Sequence, residues 1–134
     1  MRCITLWILC VLAAIQYNAV AAHPGSYALD VPYVRGSSGD FFVQANFPKP
    51  TIIGGPATIN SVRWRYDYRD NWVGLQAYIC WRNDNNCLDI SNQASGFSEA
   101  FRGRDASEPF KMLFRHRSGR TGDIYSCQII VNYQ

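Results

Sequence analysis

The feature that most constrains this chain is a strict alternation of apolar and polar residues that recurs in several short segments. In the clearest segment, residues 61–68, every second residue is apolar: Val62, Trp64, Tyr66 and Tyr68. The residues between them are charged: Arg63, Arg65 and Asp67. A period of two is typical of a β-strand with one buried face, whereas an amphipathic helix repeats every 3.6 residues. The pattern therefore predicts strands with aromatic side chains in a core and charged side chains in solvent.

The same alternation predicts strands elsewhere in the chain. The segments are YALDVPYV at 27–34, FFVQANF at 41–47, VGLQAYICW at 73–81, EPFKMLFRHR at 108–117 and IYSCQIIVNY at 124–133. In the last segment, a candidate edge strand, we expect one inward face made of Tyr125, Cys127, Ile129, Val131 and Tyr133. Turn residues separate the segments, and none has a helical period. About seven short strands predict an all-β fold, an antiparallel β-sandwich of the immunoglobulin-like type.

The start of the chain has the layout of a secretory signal. Arg2 precedes an uncharged and mostly apolar run at residues 4–15, and small residues at 19–22 offer a cleavage site. The apolar run is shorter than the ~20 residues that a membrane span requires. We therefore expect residues 1–22 to be a signal peptide and residues 23–134 to form a single β-sandwich domain with no membrane span after cleavage.

Two cysteines flank an Asn-rich tip between apolar stretches. Cys80 and Cys87 lie on the face opposite the apolar residues of their two segments, at matching places beside the turn. Cysteines so placed on paired strands can reach the Cα separation of about 5.5–6 Å that a disulfide needs. Disulfides persist in exported proteins, so we predict a bond between them. Cys127 has the parity of inward residues and is predicted to be a buried, free thiol.

Charge and motifs give no indication of nucleic-acid binding or catalysis. The formal net charge is +3, too balanced to imply a nucleic-acid partner or a membrane surface. The sequence has no nucleophile elbow, zinc-protease motif, phosphate-binding loop or dinucleotide-binding glycine motif. We therefore expect a protein that is not an enzyme and has no cofactor.

The two histidines leave a metal-binding alternative open. If the signal is cleaved after Ala22, the mature chain begins with His23, whose α-amine and imidazole suit Cu(II), and His116 would add a third nitrogen. The competing interpretation is a frayed N-terminus and a solvated His116 between Arg115 and Arg117. A periplasmic copper carrier is therefore an alternative function.

A set of arginine and aromatic residues is a candidate docking patch. Arg63 and Arg65 face outward on one strand, Tyr78 faces outward on the next, and Arg82 lies just beyond it. Arginine and tyrosine are enriched at interfaces, so these residues would dock an acidic protein or a glycan. A solvated sheet face with ordinary cross-strand pairs explains the same residues, and a glycan-binding or inhibitor module is a further alternative.

Six short segments, in this order, resemble the FlhE family of flagellar proteins. They are WRYDY at 64–68, GLQAYIC at 74–80, CLDI at 87–90, SGF at 95–97, EPF at 108–110 and IIVNY at 129–133. The resemblance begins near Ser61 and continues to Gln134.

The resemblance implies a bacterial periplasmic protein with an accessory role in the flagellum and no catalytic residues. Members of the family are thought to limit proton leakage through the flagellar export apparatus, and their shape has been compared to that of pilus chaperones. The partner would be a flagellar export-gate protein or a rod or basal-body protein.

Overall fold

The computed structural model describes residues 24–52 and 54–134, and every regular element in these residues is a β-strand. The strands are β1 (Gly25–Val34), β2 (Val43–Asn46), β3 (Ile59–Tyr68), β4 (Leu75–Trp81), β5 (Cys87–Asp89), β6 (Ser95–Ser98), β7 (Phe110–His116) and β8 (Ile124–Tyr133). The predicted signal peptide, residues 1–22, and His23 lie outside the described residues. The described residues contain no helix with the length and apolar character that a membrane span requires.

The strands form two antiparallel sheets that face each other. The first sheet has the order β1-β8-β3-β6, and the second has the order β2-β7-β4-β5. The inner side chains of both sheets form one core, in which the rings of Tyr66 on β3 and Phe114 on β7 have centroids 5.1 Å apart. The predicted all-β architecture with antiparallel sheets is therefore confirmed.

Burial follows the predicted alternation on the central strands. On β3 the inward residues are buried: Val62, Trp64, Tyr66 and Tyr68. On β4 the buried inward residues are Leu75, Ala77 and Ile79. A slip of one residue would turn Arg63 and Arg65 into the core, so this pattern fixes the register of β3.

The last strand departs from its prediction in two ways. β8 lies inside the first sheet, paired with β1 on one side and β3 on the other, and not at an edge. Its backbone is interrupted at Ser126, which has φ 53°, and its register with β3 shifts between Arg65 and Asp67. This β-bulge adds one residue, so Ile124 is buried in place of Tyr125, which is only half-buried.

β6 is a short edge strand that the alternation did not predict. Its Gly96 lies opposite Trp64 of β3, and a Cβ atom on Gly96 would come 2.4 Å from Cζ2 of Trp64. The absence of a side chain therefore lets the edge strand cover the indole. The indole N–H donates a hydrogen bond of 3.0 Å to the carbonyl of Gln93, just before β6.

A disulfide closes the hairpin of β4 and β5. Cys80 and Cys87 are direct partners in the antiparallel ladder, with Cα atoms 4.0 Å apart and their sulfur atoms bonded. An ion pair between Lys111 and Asp84 also holds the hairpin tip. The predicted disulfide is confirmed, and Cys127 is free and buried as expected.

Candidate protein-docking surface

The predicted docking patch divides between two surfaces. Arg63 and Arg65 lie on β3 in the first sheet and face outward. Tyr78 lies on β4 in the second sheet, and Arg82 follows that strand at the hairpin tip. Because the inner faces of the two sheets share one core, their outer faces point to opposite sides of the molecule. The structure therefore does not bring Arg63 and Arg65 together with Tyr78 and Arg82.

The aromatic and cationic groups around Tyr78 contact one another. Tyr78 is half-buried, and its ring meets that of Phe42 edge-on, with centroids 5.9 Å apart. The guanidinium of Arg115 lies 4.7 Å from the Phe42 centroid. It also donates to Oε1 of Gln76, from Nε at 3.2 Å and from Nη2 at 3.1 Å. The arginine and aromatic side chains on the outer face of the second sheet therefore make their contacts with one another, inside the molecule.

The first sheet has a more open surface around Arg63. The cross-strand register places Arg63 between Phe97 of β6 and Ile130 of β8. The Arg63 guanidinium lies over the Phe97 ring, 5.0 Å from its centroid, and Phe97 is 49% exposed. A shallow depression here is lined from the outer face by six side chains, which we call the Arg63 surface: Arg63, Arg65, Ser95, Phe97, Gln128 and Ile130.

Two carboxylates on the same outer face as the Arg63 surface already have partners. Asp67 accepts a hydrogen bond of 3.0 Å from Nε of Arg69. Asp30 accepts a hydrogen bond of 3.0 Å from Nε2 of Gln128. Among the residues that the structure describes, no carboxylate lies within ion-pair distance of the two arginines of the Arg63 surface. These guanidinium groups therefore remain available to a partner.

Ser95 and Phe97, on β6, are the members of this surface that the alternation does not predict. β6 spans only Ser95–Ser98, which is too short for a period of two to stand out. The segment SGF at 95–97, one of those that carry the family resemblance, is the only signal in the sequence that marks them.

His116 is buried, contrary to the solvated position expected between two arginines. It is 7% exposed, and both of its ring nitrogens have partners. Nε2 donates to the carbonyl of Asn71 at 3.1 Å, and Nδ1 accepts from the backbone N–H of Ser118 at 3.1 Å. These partners assign the tautomer with hydrogen on Nε2, which leaves no ring lone pair for a metal. The copper alternative therefore gains no ligand from His116.

The other groups capable of chemistry are shielded. No cluster of three His, Cys, Asp or Glu side chains within residues 24–52 and 54–134 is placed to hold a metal ion. Burial raises the pKa of the Cys127 thiol to about 12, so this thiol is protonated and unreactive at neutral pH.

Trp72 is 41% exposed but packs against Tyr66 and Tyr68, with ring centroids 5.7 and 6.2 Å away. Only part of its ring is open to a sugar.

Comparisons with known proteins identify the relatives of this chain. No curated protein matches its sequence. A crystal structure of FLHE has a TM-score of 0.68 with this chain and 20% sequence identity, covering 84% of this chain and 99% of that one. At this identity the likeness shows a shared fold. The family model for "Flagellar protein FlhE" matches residues 35–134, which contain every strand from β2 to β8. The chain therefore belongs to the FlhE family of flagellar proteins.

Proposed function

We propose that this chain is a periplasmic accessory protein of the bacterial flagellum that binds a component of the flagellar export apparatus. Membership of a flagellar family supports the setting. The disulfide between Cys80 and Cys87 supports an oxidising compartment such as the periplasm. The partner is an export-gate protein or a rod or basal-body protein, and binding limits proton leakage through the apparatus in a chaperone-like role.

The observation that carries this proposal is the Arg63 surface. Two guanidinium groups without carboxylate partners beside an exposed aromatic ring form the combination that dominates many protein interfaces. The surface lies on a paired sheet, which holds it rigid. We propose binding and not catalysis, since the His116 nitrogens are occupied and the Cys127 thiol is buried.

The immunoglobulin-like type of sandwich stays a prediction. Two four-stranded antiparallel sheets around one core support it. The position of β8 between β1 and β3 differs from the strand order of an immunoglobulin sheet. We propose a related sandwich in which the first sheet is rearranged.

The proposal is tested in a strain that lacks the protein. Under conditions that load the export apparatus, we expect the deletion to lower cytoplasmic pH and to disturb flagellar behaviour, because protons leak through an apparatus without its accessory protein. The full chain should restore both. A chain without residues 1–22 should fail to restore them even when it accumulates in the cytoplasm as folded protein.

Two results would count against this function. Full restoration by the chain without residues 1–22 would refute action from the periplasm. Normal cytoplasmic pH and normal flagellar behaviour in the deletion strain would refute the role in the export apparatus itself.

A further inference from the structure

We propose that the Arg63 surface binds an acidic segment of the partner in an extended conformation. Two carboxylates of this segment pair with Arg63 and Arg65, and apolar groups of the segment pack against Phe97 and Ile130 on either side of Arg63. The inference rests on the proposed function, because it names the chemistry of the partner that this surface recognises.

The spacing of the two arginines sets the spacing of the carboxylates. Arg63 and Arg65 are two residues apart on β3 and face the same side, so their Cα atoms lie about 7 Å apart along the strand. An extended peptide also repeats its side chains on one face at every second residue. Acidic residues at alternate positions of the partner therefore match both arginines at once.

The Arg63 guanidinium is held in place by its neighbour. Arg63 and Phe97 are direct cross-strand partners in the pairing of β3 with β6. Stacking over the Phe97 ring restricts the guanidinium plane and leaves its N–H edges free to donate to a carboxylate. Because the side chain is already ordered, less conformational entropy is lost on binding.

One row across the outer face of the first sheet contains Arg63 and three apolar side chains. The register places four residues side by side on β1, β8, β3 and β6: Ala28, Ile130, Arg63 and Phe97. Ala28 is small, so Ile130 stays open to contact and lines the depression. Apolar partner groups on Ile130 and on Phe97, at the two sides of Arg63, would exclude water from its ion pair and strengthen that pair.

The charges at the margin favour a short acidic segment over a long polyanion. Asp67 follows Arg65 along β3, and Asp30 lies on the same outer face two strands away. Asp67 is paired with Arg69, whereas the partner of Asp30 is the uncharged Gln128, so Asp30 would repel the continuous phosphates of a nucleic acid or of an anionic bilayer. A segment with one pair of carboxylates fits at the two arginines without reaching Asp30.

The test uses short fluorescent peptides tiled over the periplasmic segments of the flagellar proteins from the same cell. Binding to the full-length protein is measured by fluorescence anisotropy at low and high salt. We expect the tightest peptides to carry acidic residues at alternate positions and to bind more weakly at high salt. The double variant Arg63→Glu/Arg65→Glu should weaken them about tenfold or more.

Two control variants define the surface. Arg117→Glu/Arg120→Glu makes the same change of charge on exposed residues of the loop before β8, and it should change affinity by less than about twofold. Arg63→Lys/Arg65→Lys keeps the positive charges but removes the planar guanidinium groups that donate two hydrogen bonds to one carboxylate. Its affinity for the acidic peptides should therefore lie between that of wild type and that of Arg63→Glu/Arg65→Glu. Thermal unfolding of each variant verifies that the fold is intact.

Several outcomes would overturn the inference. The surface would be wrongly assigned if no peptide bound, if neutral peptides bound as tightly as acidic ones, or if the loop variant lost as much affinity as the Arg63 variant. If the protein bound vesicles rich in anionic lipid and Arg63→Glu/Arg65→Glu abolished that binding, the ligand of this surface would be a membrane and not an acidic segment. Any of these results leaves the deletion phenotype unaffected, so this inference and the proposed function fail separately.

Discussion

Trp64 connects the core to the edge of the first sheet. It is 4% exposed, packs in the shared core, lies against Gly96 and donates to the Gln93 carbonyl. Trp64→Ala removes all of these contacts and leaves a cavity. We expect it to lower the free energy of unfolding by roughly 3–5 kcal/mol, measured by denaturant titration.

Arg63→Ala is the control at the neighbouring position. Its side chain is exposed, so we expect a loss within about 1 kcal/mol. A larger loss for Arg63→Ala than for Trp64→Ala would mean that the inner and outer faces of β3 had been assigned the wrong way round.

Cys127 should make stability fall at alkaline pH. Burial raises the pKa of its thiol from 9.0 to about 12, so between these values the folded protein keeps a proton that the unfolded chain has lost. The free energy of unfolding therefore decreases as pH rises through this range, by up to about 1.4 kcal/mol per pH unit. Burial also raises the pKa of Tyr27 and of Tyr66 above the ordinary tyrosine pKa of 10.0. Above pH 10 these two groups therefore lower the free energy of unfolding further.

The variant Cys127→Ala isolates the thiol. We expect denaturant titrations from about pH 8 to about pH 10.5 to show a smaller decrease for this variant than for wild type. Equal slopes would show that the Cys127 thiol does not titrate differently in the folded and unfolded states.

The sequence located single residues on a strand but did not assign them to a surface. Parity predicted that Arg63 and Tyr78 both face outward, which they do. It does not reveal that β3 and β4 belong to different sheets, so the predicted patch combined two opposite faces. His116 was misplaced for a related reason, because its burial depends on Asn71 and Ser118 in loops that the alternation does not describe.

Among the elements, the β4–β5 hairpin depends on its disulfide. The bond closes a loop with a sequence separation of 7. In the chain-entropy model, Cys80→Ala/Cys87→Ala should lower the free energy of unfolding by roughly 2–2.5 kcal/mol. Alkylation of the unfolded, unreduced mature protein, which lacks Cys3 and Cys10 once residues 1–22 are removed, should label Cys127 alone, as read by mass spectrometry after digestion. A label on Cys80, or unchanged stability in the double variant, would contradict this role.

Most elements were predictable because burial of one face imposes alternation on a strand. Burial alternates along most of β3, β4 and β7, with breaks where neighbouring residues are both buried, at residues 61–62, 79–80 and 112–114. The alternation does not predict β6, because Gly96 interrupts a strand of only four residues. It predicts the wrong side for Tyr125, which is only half-buried, because the bulge at Ser126 breaks the period of two. The order of strands depends on pairings between distant segments, such as β1 with β8, and local pattern does not determine these.

The molecule as a whole has two unlike outer faces. The Arg63 surface lies on the first sheet, while Tyr78 lies on the second and Arg82 at its hairpin tip. The two sheets of a sandwich pack about 10 Å apart, so charges on opposite outer faces are separated by more than a Debye length and are largely screened from each other. Tyr78→Ser/Arg82→Glu should therefore leave the affinity for acidic peptides within about twofold of wild type in the anisotropy assay. A large loss would show that the partner extends around the edge of the sandwich.

The position of β8 also determines when the chain can fold. β1 and β3 both pair with β8, although β8 is the last of the described strands to be translated. Until the ribosome has passed Tyr133, β1 has no ladder partner and β3 has one edge unpaired. Pairings between segments so far apart in sequence also form slowly. A nascent chain that lacks β8 therefore cannot complete the first sheet, so the pairings that connect β1 to β3 form only after the last described strand has been synthesised.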